Sequence, residues 1–92
     1  MPERTVIVKS RSGLHARPAA LFVKAATGQP VPVKLRAKDG RVADGRSILT
    51  VLALRVRCGD PVTLSAEGEG AEAAIDALAA LLEQDLDGPD GE

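Results

Sequence analysis

The chain has 92 residues, which is enough for one domain with one hydrophobic core. It contains a single Phe and no Trp or Tyr, so we expect no aromatic platform for single-stranded nucleic acid. The formal net charge of −1 also argues against a basic surface for duplex DNA, and no nucleic-acid partner is predicted.

The first third of the chain changes from a strand pattern to a helix pattern. A β-branched run predicts a strand over about 4–8, with Val6 and Val8 on one face. From Ala16 onward the apolar residues recur with a period of 3.6, which predicts an amphipathic helix. The apolar stripe of that helix consists of Ala19, Phe22, Val23 and Ala26. Gly28 suits the left-handed position that commonly ends a helix.

The middle of the chain predicts a hairpin, a short helix and another strand. Alternating residues over about 31–37 and 41–43 are typical of two strands, and the sequence "KDG" between them is a strong turn signal. A compact helix is predicted over about 47–54. The run "GDPVTLSAEG" then predicts a fourth strand, with Val62 and Leu64 on one face.

A long helix over about 70–83 completes the pattern. Its apolar face consists of Ala71, Ala74, Ile75, Leu78 and Leu82. We expect residues 1–86 to form the domain and the acidic residues 87–92 to form a flexible tail. The order βαββαβα predicts a two-layer α+β fold, with a four-stranded, mostly antiparallel sheet and three helices on one face.

The sequence offers few groups for metal or redox chemistry. Cys58 is the only cysteine, so no intramolecular disulfide can form, and we expect a loop or core residue rather than a nucleophile. With one Cys and one His, neither a metal site nor a cofactor is expected. The first ten residues match neither a signal peptide nor a membrane span. We therefore expect a cytoplasmic protein without membrane insertion.

His15, the only histidine, lies directly before the first predicted helix, with Arg17 and Pro18 in the opening turn. Backbone N–H groups at a helix start lack intrahelical partners, and together with the helix dipole they attract anions. The planar guanidinium of Arg17 matches phosphate oxygens, and Ser12 can supply a hydroxyl donor. We therefore predict a phosphate-binding set of Ser12, Arg17 and the helix start at Ala16.

The same surroundings favour His15 as a nucleophile. A helix start and a neighbouring cation both disfavour a charged imidazole, and a neutral imidazole can form a covalent intermediate. The alternative is a surface or capping residue, which a solitary histidine more commonly is. The sequence contains no Walker loop, no paired catalytic carboxylates and no second histidine. We therefore expect a phosphoryl carrier without turnover of its own, which acts between two other proteins.

Several apolar side chains near His15 are predicted to lie outside the core. In the short helix, Val51 and Leu54 should face the core, which leaves the other apolar residues on the surface. We predict that this surface docks partner proteins and that charged residues at its rim steer acidic partners. Its predicted members are Leu14, Ala20, Leu21, Lys24, Arg46, Ile48, Leu49 and Leu52. Burial of some of them beneath loops is the alternative.

Three segments resemble the HPr family, the small phosphocarriers of the bacterial phosphoenolpyruvate:sugar phosphotransferase system. "SGLHARPAALFVKAA" is similar to the active-site segment, and "DGRSILTVLAL" is similar to the second helix with its preceding serine. "GDPVTLSAEGEGAEAAIDALAALLE" is similar to the last strand and helix, so the resemblance covers nearly the whole chain. It implies the open-faced β-sandwich of that family, which has the same βαββαβα order.

The resemblance also implies roles for individual residues. His15 would be phosphorylated on Nδ1 by enzyme I, which phosphoenolpyruvate charges, and would pass the group to EIIA domains of sugar permeases. Arg17 would steady the phosphoryl group. Ser47, a favoured N-cap type, matches a site that an HPr kinase/phosphorylase modifies in some members. Here "DGR" precedes that serine, where many regulated members have a lysine. We expect the protein to be a monomer.

Two alternatives stay open at this point. A carrier in a related phosphorelay, such as the nitrogen branch or the dihydroxyacetone kinase system, would use the same chemistry at His15 with other partners. A regulatory interaction module would use the same surface without carrying phosphate. The presence of His15 argues against this second alternative, because such a module does not need it.

Overall fold

The structure, a computed structural model, describes residues 2–9, 13–14 and 16–84. In this part of the chain the elements follow the predicted βαββαβα order. They are β1 (Glu3–Ile7), α1 (Ala16–Thr27), β2 (Lys34–Ala37), β3 (Val42–Asp44), α2 (Ile48–Ala53), β4 (Pro61–Ser65) and α3 (Ala71–Leu82). The predicted tail, residues 87–92, lies outside the described residues.

The four strands form one antiparallel sheet in the order β1-β4-β2-β3, so the last strand of the chain lies between the first and the second. Side chains alternate between the two faces of a strand, and Val6, Leu35 and Leu64 are buried on the face that the helices cover. The other face is open, and on it the hydroxyl oxygens of Thr5 and Thr63 lie 2.8 Å apart. The predicted two-layer α+β fold is confirmed.

The predicted apolar stripes of both long helices face the core. In α1, Ala19, Phe22 and Ala26 are fully buried, and Val23 is partly buried against them. In α3 all five predicted positions are buried, together with Ala79. Burying a side chain as large as Phe22 stabilises the fold by about 1.5–3 kcal/mol. The period-3.6 pattern therefore located the helices and their buried faces correctly.

The first strand is shifted by one residue from the prediction, whereas its inward-facing residues are the predicted ones. β1 begins and ends one residue earlier than expected, at Glu3 and Ile7. Val8, just beyond its end, is still fully buried, and its N–H donates to the carbonyl oxygen of Asp60 at 3.0 Å. Val6 and Val8 therefore face the core, as predicted, although the pairing of β1 with β4 ends at Ile7, one residue before Val8.

The end of α1 differs from the prediction. Gly28 does not adopt a left-handed conformation, and its N–H donates to the carbonyl oxygens of Lys24 and Ala25 at 3.3 and 3.2 Å. The N–H of Gln29 then donates to the carbonyl oxygen of Ala26 at 3.1 Å. The helix thus ends by tightening into i→i−3 hydrogen bonds, which satisfy its last carbonyls without a left-handed residue.

α2 begins where the sequence predicts. Ser47 is its N-cap, with an extended backbone, and its Oγ accepts a hydrogen bond from the N–H of Thr50 at 3.5 Å. Val51 and Leu54 are buried, as predicted. Among the described residues, no helix is long and apolar enough to cross a membrane.

Candidate functional site

The predicted site lies at the beginning of α1. Pro18 is fully buried in the first turn of this helix, whereas Arg17 is exposed. Proline is well tolerated there, because the N–H that it lacks would have no intrahelical partner. His15, Ser12 and the side chain of Ala16 lie outside the described residues, so their predicted roles stay predictions.

The segment before α1 is held by direct contact with the chain that follows α2. The N–H of Leu14 donates to the carbonyl oxygen of Val56 at 2.9 Å. Gly13 has φ +71°, and a Cβ atom at this position would lie 2.2 Å from that same oxygen and 2.6 Å from Cα of Arg57. Only glycine satisfies both conditions without strain. The two stretches of backbone are therefore packed against each other with no side chain between them.

One predicted docking residue is corrected by this contact. The side chain of Leu14 is only 1% exposed and belongs to the hydrophobic core. It cannot reach a partner protein, so the prediction that it contributes to docking is wrong. Its burial has a different consequence, because it anchors the chain immediately before residue 15 to the core.

The chain after α2 is itself fixed by two charged side chains. The guanidinium of Arg41, in the β2–β3 hairpin, donates to the carbonyl oxygens of Ala53 and Leu54 at 3.1 and 3.0 Å. These carbonyls end α2 and have no partner within the helix. Asp39 accepts from Nε of Arg41 at 2.8 Å and holds it in place. A hydrogen bond from the backbone N–H of Arg41 is the main cause that lowers the pKa of Asp39.

Asp60 fixes the other end of the same stretch. One carboxylate oxygen accepts the backbone N–H of Arg57 at 3.0 Å, and the other accepts Nζ of Lys38 at 3.2 Å. The hydrogen bond from Arg57 is the main cause that lowers the pKa of Asp60, so this carboxylate stays ionised to lower pH than a free one. The backbone segment that follows α2, against which residues 13 and 14 pack, is thus fixed at both ends.

The remaining predicted docking residues lie on α1, α2 and the turn before α2. Leu49 is 76% exposed and Ile48 is 36% exposed, whereas Leu21 and Leu52 are half-buried. The rest are exposed polar or small residues, namely Ala20, Lys24 and Arg46. We call these seven residues the α1–α2 surface.

Two contacts join the elements that carry the α1–α2 surface. Arg46 donates from Nη2 to the carbonyl oxygen of Gln29 at 2.8 Å, which ties the start of α2 to the chain just after α1. At the other end of the pair, Leu14 is bonded to Val56, beyond the end of α2. The two helices therefore run in opposite directions. The apolar side chains of Ile48 and Leu49 on α2 are exposed to solvent.

Sequence reasoning missed two residues at this site, Arg55 and Arg57. Both are exposed and flank the buried Val56, and Arg55 has φ +53°. The alternation of charged and apolar residues could have indicated that both arginines point outward. Nothing local in the sequence indicates that the backbone of Arg57 lies beside Gly13. No group of three or more His, Cys, Asp or Glu side chains within the described part of the chain could hold a metal ion.

Comparison with known proteins gives consistent matches over nearly the whole chain. The family model described as the PTS HPr component phosphorylation site matches residues 2–84. The phosphocarrier protein HPr of Streptomyces coelicolor is 45% identical over 87 residues, which are 95% of this chain and 94% of that protein.

Solved structures share the fold as well as the sequence. HPr-C-His from Thermoanaerobacter tengcongensis superposes with a TM-score of 0.84 at 43% identity, covering 90% of this chain and 92% of that one. The Bacillus subtilis protein Crh gives a TM-score of 0.72 at 40% identity, covering 92% and 97%. The crystal structure of Crh is described as a dimer with a swapped domain.

Proposed function

Because the chain belongs to the HPr family and is a phosphocarrier of the phosphotransferase system, we propose that it carries the phosphoryl group on His15. The donor is enzyme I, charged by phosphoenolpyruvate, and the acceptors are EIIA domains of sugar permeases. Transfer takes place in the cytoplasm. The carrier has no turnover of its own, so each cycle needs both partners.

The main support for this proposal is the way the chain is fixed on either side of residue 15. Leu14 is anchored in the core and bonded to Val56, and α1 starts at Ala16. A helix start presents unpaired N–H groups to an anion, and the exposed guanidinium of Arg17 adds two or more donors beside it. A phosphoryl group bound here would meet fixed donors on a rigid support, which favours rapid transfer.

The transfer itself is an exchange of one bond at phosphorus. The lone pair on Nδ1 of His15 attacks the phosphorus atom, while the bond to the donor breaks and the donor keeps its electron pair. The second transfer repeats this step, with the acceptor as the attacking group and His15 as the leaving group. A neutral imidazole is needed for the first attack. The negative charge on the phosphoryl oxygens is met by Arg17 and by the N–H groups of α1.

The α1–α2 surface supports docking of both partners. Its exposed apolar side chains, Ile48 and Leu49, share this surface with the exposed cations Lys24 and Arg46. An apolar centre with a charged rim is the usual composition of a protein interface. We propose that the protein binds its partners as a monomer, because β1 pairs with β4 of its own chain in all five positions.

The direct test is transfer of labelled phosphate. Enzyme I and labelled phosphoenolpyruvate should label the chain, and an EIIA domain added afterwards should remove the label. The linkage should be labile in acid and stable in base, as expected of a phosphoramidate. Label that enters without enzyme I, or that survives acid, would contradict the proposed function.

Arg17→Ala should slow phosphotransfer far more than it weakens partner binding. The guanidinium is expected to contact the phosphoryl oxygens during transfer, and losing one such donor costs about 100-fold in rate. The measurement is the single-turnover rate of charging by enzyme I, together with the dissociation constant of the complex. Arg36→Ala, on the open face of β2, is the matched control and should change neither quantity. An unchanged rate with weaker binding would assign Arg17 to docking instead.

Ser47→Asp should slow charging by enzyme I about tenfold while leaving thermal stability near normal. Aspartate is a good N-cap, so α2 should persist. Its charge would lie beside Ile48 and Leu49, in the part of the α1–α2 surface that a partner desolvates. Ser47→Ala is the converse control, since it should lower the free energy of unfolding by about 1 kcal/mol but charge normally. Equal charging rates for Ser47→Asp and the unchanged protein would remove Ser47 from the interface. Phosphorylation of Ser47 by an HPr kinase/phosphorylase would act in the same way.

A further inference from the structure

The turn between α2 and β4 is closed by the side chain of Asp60. One carboxylate oxygen accepts the backbone N–H of Arg57 at 3.0 Å, and the other accepts Nζ of Lys38 at 3.2 Å. The backbone N–H of Asp60 donates in turn to the carbonyl oxygen of Arg57 at 3.0 Å. Arg57 and Asp60 are therefore joined by two reciprocal hydrogen bonds, in the manner of a capping box.

Asp60 is less exposed than four other carboxylates that form ion pairs. Its side chain is 23% exposed, whereas those of Glu3, Asp39, Asp76 and Glu83 are 45–62% exposed. Exposed ion pairs contribute little to a fold, but a hydrogen bond to a charged and shielded acceptor is stronger than one to a neutral acceptor. The Asp60 carboxylate therefore fixes the backbone N–H that it binds.

The N–H that Asp60 accepts belongs to the peptide group between Val56 and Arg57. The carbonyl oxygen of the same peptide group accepts the N–H of Leu14 at 2.9 Å. This peptide group is trans and planar, so its N–H and C=O point in opposite directions. When Asp60 holds the N–H, the direction of the carbonyl is fixed as well. The charged acceptor also polarises the peptide group, which strengthens the hydrogen bond to Leu14.

Leu14 transmits this constraint to the phosphotransfer segment. Its side chain is buried in the core, and residue 15 follows it directly. Gly13 packs against the same peptide group, because a Cβ atom there would lie 2.2 Å from the carbonyl oxygen of Val56 and 2.6 Å from Cα of Arg57. A rotation of this peptide group would therefore move the chain on the N-terminal side of residue 15.

We propose that Asp60 is a positioning residue for phosphotransfer, which acts through the Val56–Arg57 peptide group and Leu14 on the location of residue 15. This inference rests on the proposed function, because the location matters only if His15 carries the phosphoryl group. Displacement at phosphorus requires an aligned attacking atom, and a misplacement of about 1 Å can lower the rate about 100-fold. Asp60 does not belong to the α1–α2 surface, so the rate of transfer should depend on it and donor binding should not.

The test compares Asp60→Asn and Asp60→Ala with the unchanged protein. The amide oxygen of asparagine can still accept the N–H of Arg57, although more weakly than a carboxylate, whereas alanine cannot. At saturating enzyme I, the single-turnover rate of charging should fall about two- to threefold in Asp60→Asn and about tenfold in Asp60→Ala. The enzyme I concentration that gives half the maximal rate should not change. Asp76→Ala, which removes an ion-paired carboxylate from α3, is the matched control and should retain the rate.

Hydrogen exchange of the Leu14 amide tests the structural link independently of activity. Exchange should become faster from the unchanged protein to Asp60→Asn and again to Asp60→Ala, by about tenfold in the last. The amide of Leu64, in β4, should keep its protection in both variants, because the sheet is intact. If Asp60→Ala does not fold, the rate and the exchange of Asp60→Asn decide the question.

Three results would contradict the positioning role of Asp60. Unchanged exchange of Leu14 in the variants would overturn the link through the peptide group. Faster exchange with an unchanged rate would show that this link does not set the rate. A higher half-saturation concentration at an unchanged maximal rate would assign Asp60 to docking instead. If the unchanged protein takes up no label, the proposed function fails, while the exchange of Leu14 still decides whether the link exists.

Discussion

The His15→Ala protein should accept no phosphoryl group from charged enzyme I. Alanine has no lone pair that can attack phosphorus, and this histidine is the only one in the chain. We expect incorporation of label from phosphoenolpyruvate to fall to the background measured without enzyme I. The loss should be complete, since no other side chain of the described site is a comparable nucleophile.

Two controls separate this chemical loss from a loss of structure. The variant should unfold at a denaturant concentration close to that of the unchanged protein, because the anchoring contacts of Leu14 are retained. It should also compete with the unchanged protein for enzyme I, since the α1–α2 surface is intact. Label that still enters the variant, in an acid-labile linkage, would show that another residue carries the phosphoryl group.

Gly13→Ala should destabilise the fold by about 3 kcal/mol, more than is usual for so small a change. The new Cβ would lie 2.2 Å from the carbonyl oxygen of Val56 and 2.6 Å from Cα of Arg57. Both neighbours are backbone atoms, and the hydrogen bonds of Asp60 hold that stretch in place. To relieve this clash, the segment before α1 would have to move away from the segment after α2. That movement would also break the hydrogen bond from Leu14 to Val56.

Gly40→Ala is the matched control for this prediction. Gly40 also has positive φ, at +92°, but a Cβ atom there would meet nothing within 4 Å. It should therefore cost only the conformational strain, about 1 kcal/mol. The free energies of unfolding from urea titrations give the comparison directly. Equal losses for the two variants would mean that the clash at Gly13 is relieved without cost and that the contact with Val56 is not rigid.

The architecture was predictable because each element carries a repeated local pattern. The buried faces of α1 and α3 follow a period of 3.6, and the inward residues of the strands follow a period of 2. Ser47 was correctly identified as an N-cap because its own side chain performs the role. Gly28 was not predicted correctly, because a helix can end by tightening its last hydrogen bonds as well as by a left-handed residue.

The surroundings of the site were less predictable, because they are formed between distant parts of the chain. Leu14 was expected on the surface because it adjoins His15, but its contact with Val56, more than forty positions away, places it in the core. Arg55 and Arg57 were missed for the same reason. The start of α1 at Ala16 and the exposure of Arg17 depend on no tertiary contact, so both could be predicted from the sequence.

The position of β4 in the sheet has a consequence for synthesis on the ribosome. β1 and β2 are both hydrogen-bonded to β4, and the chain before α1 is held by Val56. A nascent chain that lacks β4 therefore contains the segment around residue 15, but β1 and β2 have no strand between them and the sheet cannot close. Pairing between such distant strands makes completion of the fold a late event. The segment before α1 is thus synthesised well before the sheet that supports α1 can form.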